Sequence, residues 1–306
     1  MPVNTRYKDS VFSLLFGNEP ALRELYEALF GAALPPGIDI TINTLEDALY
    51  MTRLNDLSFE VGGRLVILIE HQSTINPNMA VRLLIYIARI YEKMLTGKNL
   101  YGRKRLTIPR PEFIVLYNGV EEYPDTATLN LADTFAKASE VAAALGIPMD
   151  ENPPLDLEVK VYNINEGRNK EMLRRSAILS GYSAFIARAR EFTAEAAGGR
   201  KPTELTNDEK ERAMKKAIDW CVKHEVLKPF FDQHSSEVRN MLFDEWKLED
   251  ALVVEREEGR EEGREEGREE KEIVDVNNLL DYGLKPEQIS LALKLPIDKV
   301  LRYQSK

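Results

Sequence analysis

The stretch that decides the fold is NDLSFEVGGRLVILIEHQS, which runs from Asn55 to Ser73. Two runs rich in β-forming residues, over 55–61 and 65–72, flank a glycine pair, and this predicts two strands joined by a tight turn. Because side chains alternate between the two faces of a strand, the length of the turn decides which residues share a face.

Two turn lengths are compatible with the glycine pair. A two-residue turn, Gly62-Gly63, would place polar side chains opposite apolar ones along most of the hairpin. A three-residue turn that ends at Arg64 separates them. The pairs on its apolar face are Val61 with Leu65, Phe59 with Ile67, and Leu57 with Ile69. The pairs on its other face are Asp56 with Glu70, Ser58 with Leu68, and Glu60 with Val66, and Gln72 follows Glu70 there. The burial pattern therefore selects the three-residue turn.

Two carboxylates meet across this hairpin. Asp56 and Glu70 lie directly opposite on adjacent strands, where like charges repel. A divalent cation between them would remove the repulsion and would use the hard oxygen ligands that Mg²⁺ prefers. Such a cation can activate a water molecule and stabilise charge on a phosphoryl group. The residues alone leave a second interpretation open, an exposed polar face with an incidental acidic pair.

The rest of the chain predicts strands and helices in the first half and helices alone in the second. Helical spacing covers residues 12–30 with a break at Gly17-Asn18, and Gly97 ends a helix over 78–96. Further strands are predicted over 113–119 and 157–164, with a short helix near 131–145 between them. Helical patterns continue from 168 to 252, and two short helices are predicted after Pro286 and Pro296.

Composition excludes several classes of protein. The 306 residues carry a net charge of −10, which argues against a general polyanion binder. The single cysteine, Cys221, cannot form an internal disulfide, and the three histidines have no zinc-binding spacing. There is no long apolar run for a membrane span and no apolar core for a secretion signal near residue 1. We therefore expect a cytoplasmic protein with no membrane partner.

Charge is unevenly distributed along the chain. Residues 255–272 contain ten glutamates against four arginines and one lysine in a GREE repeat, which predicts a solvated helical spacer. Residues 79–111 contain eight basic residues and one acid. One helical stripe in this segment is basic with an aromatic residue inside it, and three more basic residues follow. These candidate phosphate contacts are Arg82, Tyr86, Arg89, Lys93, Arg103, Lys104 and Arg105. An ordinary solvated helix face is the alternative.

An acid, then about ten residues, then E-x-[K/Q] on the next strand resembles the PD-(D/E)XK nuclease superfamily. The wider pattern is similar to the Rpn family of recombination-promoting nucleases, also known as YhgA-like transposases. The matching segments, in chain order up to about residue 270, are KDSVFSLLFGNE, the hairpin sequence, NMAVRLLIYIARIYEKML, FIVLYNGVEEYP, NINEGRN and the GREEG repeat.

The resemblance implies a restriction-endonuclease-like α/β fold, in which helices flank a mixed sheet, followed by an all-α C-terminal part. It implies an endonuclease that hydrolyses DNA phosphodiester bonds with Mg²⁺, with Mn²⁺ or Ca²⁺ as alternatives, in recombination or in mobile elements. Asp56 and Glu70 would hold the metal, and Gln72 would stand in the place of the usual lysine. The first-helix motif D-x-x-F-K appears with Ser13 for lysine, and its Asp9 is either a further metal ligand or a helix N-cap.

The sequence patterns and this resemblance together predict a division of the chain. Residues 1–197 would form the nuclease-like domain, 198–254 a helical extension, 255–272 the charged helix and 273–306 a small helical hairpin. Because Gln72 is neutral, the alternative function is a weak or inactive nuclease-fold interaction module that acts through its helical C-terminal region, where helices could also form a homo-oligomer. His71, between Glu70 and Gln72, points to the opposite face and is expected to be packed in the core.

Overall fold

The computed structural model describes residues 11–43 and 56–303, without the side chains of residues 56, 240–263 and 265–266. Two compact units divide the chain, Met1–Asp244 and Glu245–Lys306. The first is a mixed α/β unit, and the C-terminal part is helical, which confirms the predicted α/β class with a helical C-terminal part. Within the described ranges, no helix is long and apolar enough to cross a membrane.

The first unit is built around a six-stranded mixed sheet in the order β1-β2-β3-β4-β6-β5. Its parallel pairs are β3 with β4 and β4 with β6, and its other neighbours are antiparallel. The strands are β1 (Ile40–Ile42), β2 (Asp56–Val61), β3 (Leu65–Gln72), β4 (Arg110–Tyr117), β5 (Thr126–Asn130) and β6 (Glu158–Asn163).

Helices precede, connect and follow the strands. They are α1 (Val11–Phe16), α2 (Glu19–Phe30), α3 (Met79–Leu95), α4 (Ala138–Leu145), α5 (Lys170–Arg174), α6 (Ala177–Ala197), α7 (Asn207–Lys223), α8 (Lys228–Asp281), α9 (Pro286–Leu293) and α10 (Ile297–Tyr303). Short 3₁₀ turns occupy Leu131–Thr134 and Pro202–Glu204. The charged tract over 255–272 falls within α8.

The hairpin adopts the register selected from its sequence. Asp56 pairs with Glu70, Phe59 with Ile67, and Val61 with Leu65. Both turn glycines have positive φ, 56° at Gly62 and 65° at Gly63, a conformation that glycine adopts without steric cost. The three-residue turn is therefore confirmed, and the two carboxylate-bearing positions stand directly across from each other.

Two strands of the sheet were not predicted. β1 has three residues, and β5 directly precedes the helix expected near 131–145, which forms a 3₁₀ turn at Leu131–Thr134 and the α-helix α4. Both lie at the edges of the sheet, and neither has a fully buried residue. Both sequences alternate apolar and polar residues, ITI and TATLN, but over only three and five residues, which is too short a run for the alternation to stand out.

The central strand β3 is buried on both faces, and a different set of helices covers each. On one face, Val66 and Leu68 join a core with Leu83 and Ile87 of α3. On the other, the ring of His71 lies against aromatic residues of α1 and α6. The loop from β3 to α3 is short, so the start of α3 must lie beside the end of β3. This arrangement determines which side chains reach Glu70.

The second unit has a small core of its own. Val276 of α8, Ile289 of α9 and Val300 and Tyr303 of α10 are buried together. An ion pair of 2.6 Å between Glu272 and Lys299 ties α8 to α10 at its border. The two short helices predicted after Pro286 and Pro296 are thereby confirmed.

A glycine holds the end of β4 against the end of β3. A methyl group on Gly119 would overlap the carbonyl oxygen of Ser73 and the phenol of Tyr117, so the backbones must part to accept it. We expect Gly119→Ala to lower the free energy of unfolding by about 2–3 kcal/mol in urea denaturation. Gly267→Ala, in open space on α8, is the opposite case and should add up to about 1 kcal/mol of helix stability. Equal stability of the two variants would contradict the close packing at Gly119.

Candidate active site at the end of the hairpin

Glu70 is a buried carboxylate near the middle of the sheet. It stands on β3 between Asp56 on β2 and Val115 on β4, and its side chain is 5% exposed. The same face of β3 presents Val66 and Leu68 to the core under α3. Burial of a charge among apolar side chains costs free energy unless a partner offsets it, so the contacts of Glu70 decide what the site can do.

Arg82 supplies that partner. It lies in the first turn of α3, and its Nη2 is 2.7 Å from Glu70 Oε1. The guanidinium is held from the helix side as well, because Nη2 donates to the Tyr86 hydroxyl at 3.1 Å and Cζ lies 5.8 Å from the centre of that ring. Arg82 is 32% exposed, so it connects the buried carboxylate with solvent.

The second oxygen of Glu70 is the orphaned atom of the site. Oε2 is buried and has no hydrogen-bond partner among the residues that the structure describes. An unpartnered carboxylate oxygen is the type of ligand that Mg²⁺ prefers, and a second acid is paired with Glu70 in the strand register. The donor set of Asp56 and Glu70 therefore suits a divalent cation, although the Asp56 side chain lies outside the described part of the chain.

Two other sequence-based expectations concern this metal site. Asp9 lies outside the described residues. Over residues 11–43 and 56–303, apart from the undescribed side chains, no group of three or more histidine, cysteine, aspartate and glutamate residues is arranged to hold a metal. Within this part of the chain, Glu70 alone represents the expected ligand set of Asp9, Asp56 and Glu70.

Gln72 lies beside Glu70 on the same face of β3. Its Nε2 donates to Met79 Sδ at 2.7 Å and lies 3.5 Å from Glu70 Oε1. The side chain is thus held between the carboxylate and the first residue of α3, and it is 8% exposed. A neutral amide in this position can orient a neighbour by hydrogen bonds but supplies no charge.

His71 faces the other side of the sheet, as its place in the strand predicts. Its Nε2 lies 3.1 Å from the Tyr182 hydroxyl, and its ring stacks on Phe12 with centroids 5.0 Å apart. Burial first, and then the positive charge of Arg190, lower the pKa of His71 to about 3. The imidazole is therefore neutral at physiological pH and belongs to the core, which confirms the prediction.

The basic stripe on α3 divides into buried and exposed members. Arg89 and Lys93 are exposed, and so are the three basic residues of the following loop, Arg103, Lys104 and Arg105. Tyr86 is a correction: it is 7% exposed and packs in the core under α3, so it offers no open ring surface. Helical spacing puts Tyr86 in line with Arg82 and Arg89, but the sheet beneath α3 covers its ring.

The Glu70–Arg82 pair was missed from sequence. The helical spacing of Arg82 from Arg89 and Lys93 groups it with the candidate phosphate contacts. A signal was nevertheless present: only six residues separate the end of β3 from the start of α3, so the first turn of the helix has to return to the site. A basic residue in that turn is within reach of the last acid of the strand.

In a comparison with known protein families, residues 43–175 match the family described as "Putative transposase, YhgA-like". The matched range contains β2, β3, α3 and β4, with all of the described site residues. It ends before the GREE repeat, so it is shorter than the resemblance traced in the sequence. No curated protein and no solved structure matches the chain. This match confirms the family resemblance found in the sequence: residues 43–175 are similar to the YhgA-like transposases.

Proposed function

We propose that this protein is a Mg²⁺-dependent DNA endonuclease of the PD-(D/E)XK type. The observation that carries the proposal is the pairing of Asp56 with Glu70 across the hairpin, together with the orphaned Oε2 of Glu70. Further support comes from the transposase-like family, whose members are expected to act on DNA, and from the mixed sheet with flanking helices. A bound Mg²⁺ would activate water for attack and offset charge on the phosphoryl group.

Residues of the chain would hold the cation, orient the attacking water and exclude bulk solvent. Asp56 and Glu70 would hold the cation, with Mn²⁺ or Ca²⁺ as alternatives in vitro. Gln72, beside Glu70, would orient the attacking water through its amide group, which can both donate and accept. The apolar side chains around Glu70 exclude bulk water and so strengthen every electrostatic interaction in the site.

Exposed basic residues provide a surface for the DNA backbone. Arg89 and Lys93 on α3, with Arg103, Lys104 and Arg105 in the next loop, lie in the stretch of the chain that is basic overall. Phosphate contacts release counterions, so log K for DNA binding falls with log salt by about 0.9 per contact.

Removing positive charges from this basic surface should make DNA affinity less dependent on salt concentration. In a variant with Arg89→Gln and Lys93→Gln, we expect the salt slope of DNA binding to fall by about 1 to 2, measured by fluorescence anisotropy with a labelled duplex. The change should be the same for unrelated DNA sequences. An unchanged slope would remove these two residues from the DNA interface.

The experiment that tests the proposed function is cleavage of supercoiled plasmid by the purified protein with Mg²⁺ and with EDTA. Wild type should cut only with the metal, and Asp56→Ala should not cut. Glu60→Ala is the matched control, because Glu60 lies on the same strand and the same face but opposite Val66. Cleavage that survives in Asp56→Ala would point to another site or to a contaminating nuclease.

The second candidate function is an interaction module on a nuclease-like fold, and the neutral Gln72 is the observation that favours it. Calorimetry with Mn²⁺ separates the two functions. Binding by wild type and loss of binding in Glu70→Ala support the nuclease. Absence of binding by wild type, with no plasmid cleavage, supports the interaction module.

A further inference from the structure

Arg82 gives the candidate site a positive charge that the strand motif lacks. Gln72 stands where the superfamily pattern has lysine, and the guanidinium of Arg82 meets Glu70 from the neighbouring helix. We infer that Arg82 is the cationic group of the catalytic site: it positions Glu70 and contacts the scissile phosphate. This inference rests on the proposed nuclease function and goes beyond it by assigning the charge that Gln72 cannot supply.

The positioning role follows from the way the two oxygens of Glu70 are used. Arg82 engages Oε1, and Oε2 stays without a partner in the described part of the chain. A carboxylate held at one oxygen by a charged donor keeps the other in a fixed direction. Arg82 thus restricts the orientation of the orphaned oxygen, and Asp56 stands directly opposite Glu70 on the neighbouring strand.

The contact with phosphate follows from exposure and from the geometry of the guanidinium. Glu70 is 5% exposed and Arg82 is 32% exposed, so an approaching phosphate meets the guanidinium before the carboxylate. A planar group with five N–H donors can serve a carboxylate and a phosphate oxygen together. The ring and hydroxyl of Tyr86 hold the Arg82 guanidinium in place before substrate binds. A positive charge that is preorganised in this way is effective at stabilising the transition state.

Arg89 is the natural control for this assignment. It is the same residue type on the same helix, two turns further on, and it is exposed. If Arg82 belonged only to the DNA-binding surface, replacing either arginine would weaken DNA binding and leave cleavage of bound DNA intact. If Arg82 belongs to the catalytic site, the two replacements should have different effects.

The test compares Arg82→Gln, Arg82→Lys and Arg89→Gln in the full-length protein. For each variant, single-turnover cleavage of a saturating labelled duplex with Mg²⁺ gives the rate, and anisotropy with Ca²⁺ gives the Kd for the duplex. We expect Arg82→Gln to cut on the order of 10²-fold more slowly with its Kd changed less than about threefold. Arg82→Lys should recover part of the rate, and Arg89→Gln should change Kd rather than the rate.

Each outcome either supports or overturns the assignment. Arg82→Gln that cuts as wild type does, or that loses DNA affinity to the same extent as Arg89→Gln, overturns it and leaves the nuclease proposal intact. If Arg82→Gln is unfolded by circular dichroism, the decision falls to the folded Arg82→Lys, which must bind DNA normally and cut at an intermediate rate. A wild type that does not cut overturns the proposed function, and this inference is overturned with it.

Discussion

Replacing Glu70 by glutamine is expected to slow Mg²⁺-dependent DNA cleavage by on the order of 10²–10³-fold without loss of stability. The rate falls because a neutral amide cannot serve as a charged oxygen ligand for the cation. Stability is kept because the change removes a buried charge with one unpartnered oxygen, and Arg82, being 32% exposed, can be hydrated. The free energy of unfolding should therefore stay within about 1 kcal/mol of wild type or rise.

Plasmid cleavage and urea denaturation on the same preparation measure both quantities. Glu112→Gln is the control. Glu112 lies on β4 and forms an ion pair of 3.1 Å with Lys160. It is paired with Ile67, whose side chain lies on the face of the sheet opposite to that of Glu70. That variant should cut at the wild-type rate. A Glu70→Gln protein that cuts normally, or one that loses several kcal/mol of stability, would show that Glu70 serves the fold and not the chemistry.

Acid should destabilise the first unit through His71. Its folded pKa is lowered to about 3 from 6.5, so between these values the unfolded chain binds a proton that the folded chain does not. Stability is therefore full above pH 6.5 and declines as the pH falls toward 3. At about 1.4 kcal/mol for each pKa unit, the loss reaches roughly 4–5 kcal/mol in that window.

A variant that cannot titrate isolates this contribution from that of the carboxylates. His71→Phe keeps a ring against Phe12, and a second change, Tyr182→Phe, avoids a buried hydroxyl without its partner. In urea denaturation between pH 7 and 4, the double variant should lose less stability than wild type. Parallel curves for wild type and the double variant would contradict a buried neutral His71.

The hairpin could be predicted in full because both of its faces are constrained. Phe59, Ile67 and Ile69 must share one face, and that requirement alone excludes the shorter turn. His71 followed from the same alternation. The strands β1 and β5 were not predicted, because their alternation of apolar and polar residues extends over only three and five residues.

The candidate site was only partly predictable for a different reason. Helical spacing shows that Arg82, Tyr86 and Arg89 share a stripe, but it does not show what lies beneath that stripe. In the folded chain the ring of Tyr86 is buried against the sheet, and Arg82 forms an ion pair with Glu70. Arg89 stays exposed. A contact between a helix and a strand twelve residues earlier depends on packing, which no single-element pattern records.

The central claim is that Asp56 and Glu70 share one divalent cation, and a crystal of the protein soaked in Mn²⁺ tests it most directly. We expect one anomalous peak within direct bonding distance of a carboxylate oxygen of Glu70 and of a carboxylate oxygen of Asp56. Arg82 should remain on Glu70 Oε1. A density map without that peak, with the Asp56 carboxylate turned away from Glu70, would contradict the claim.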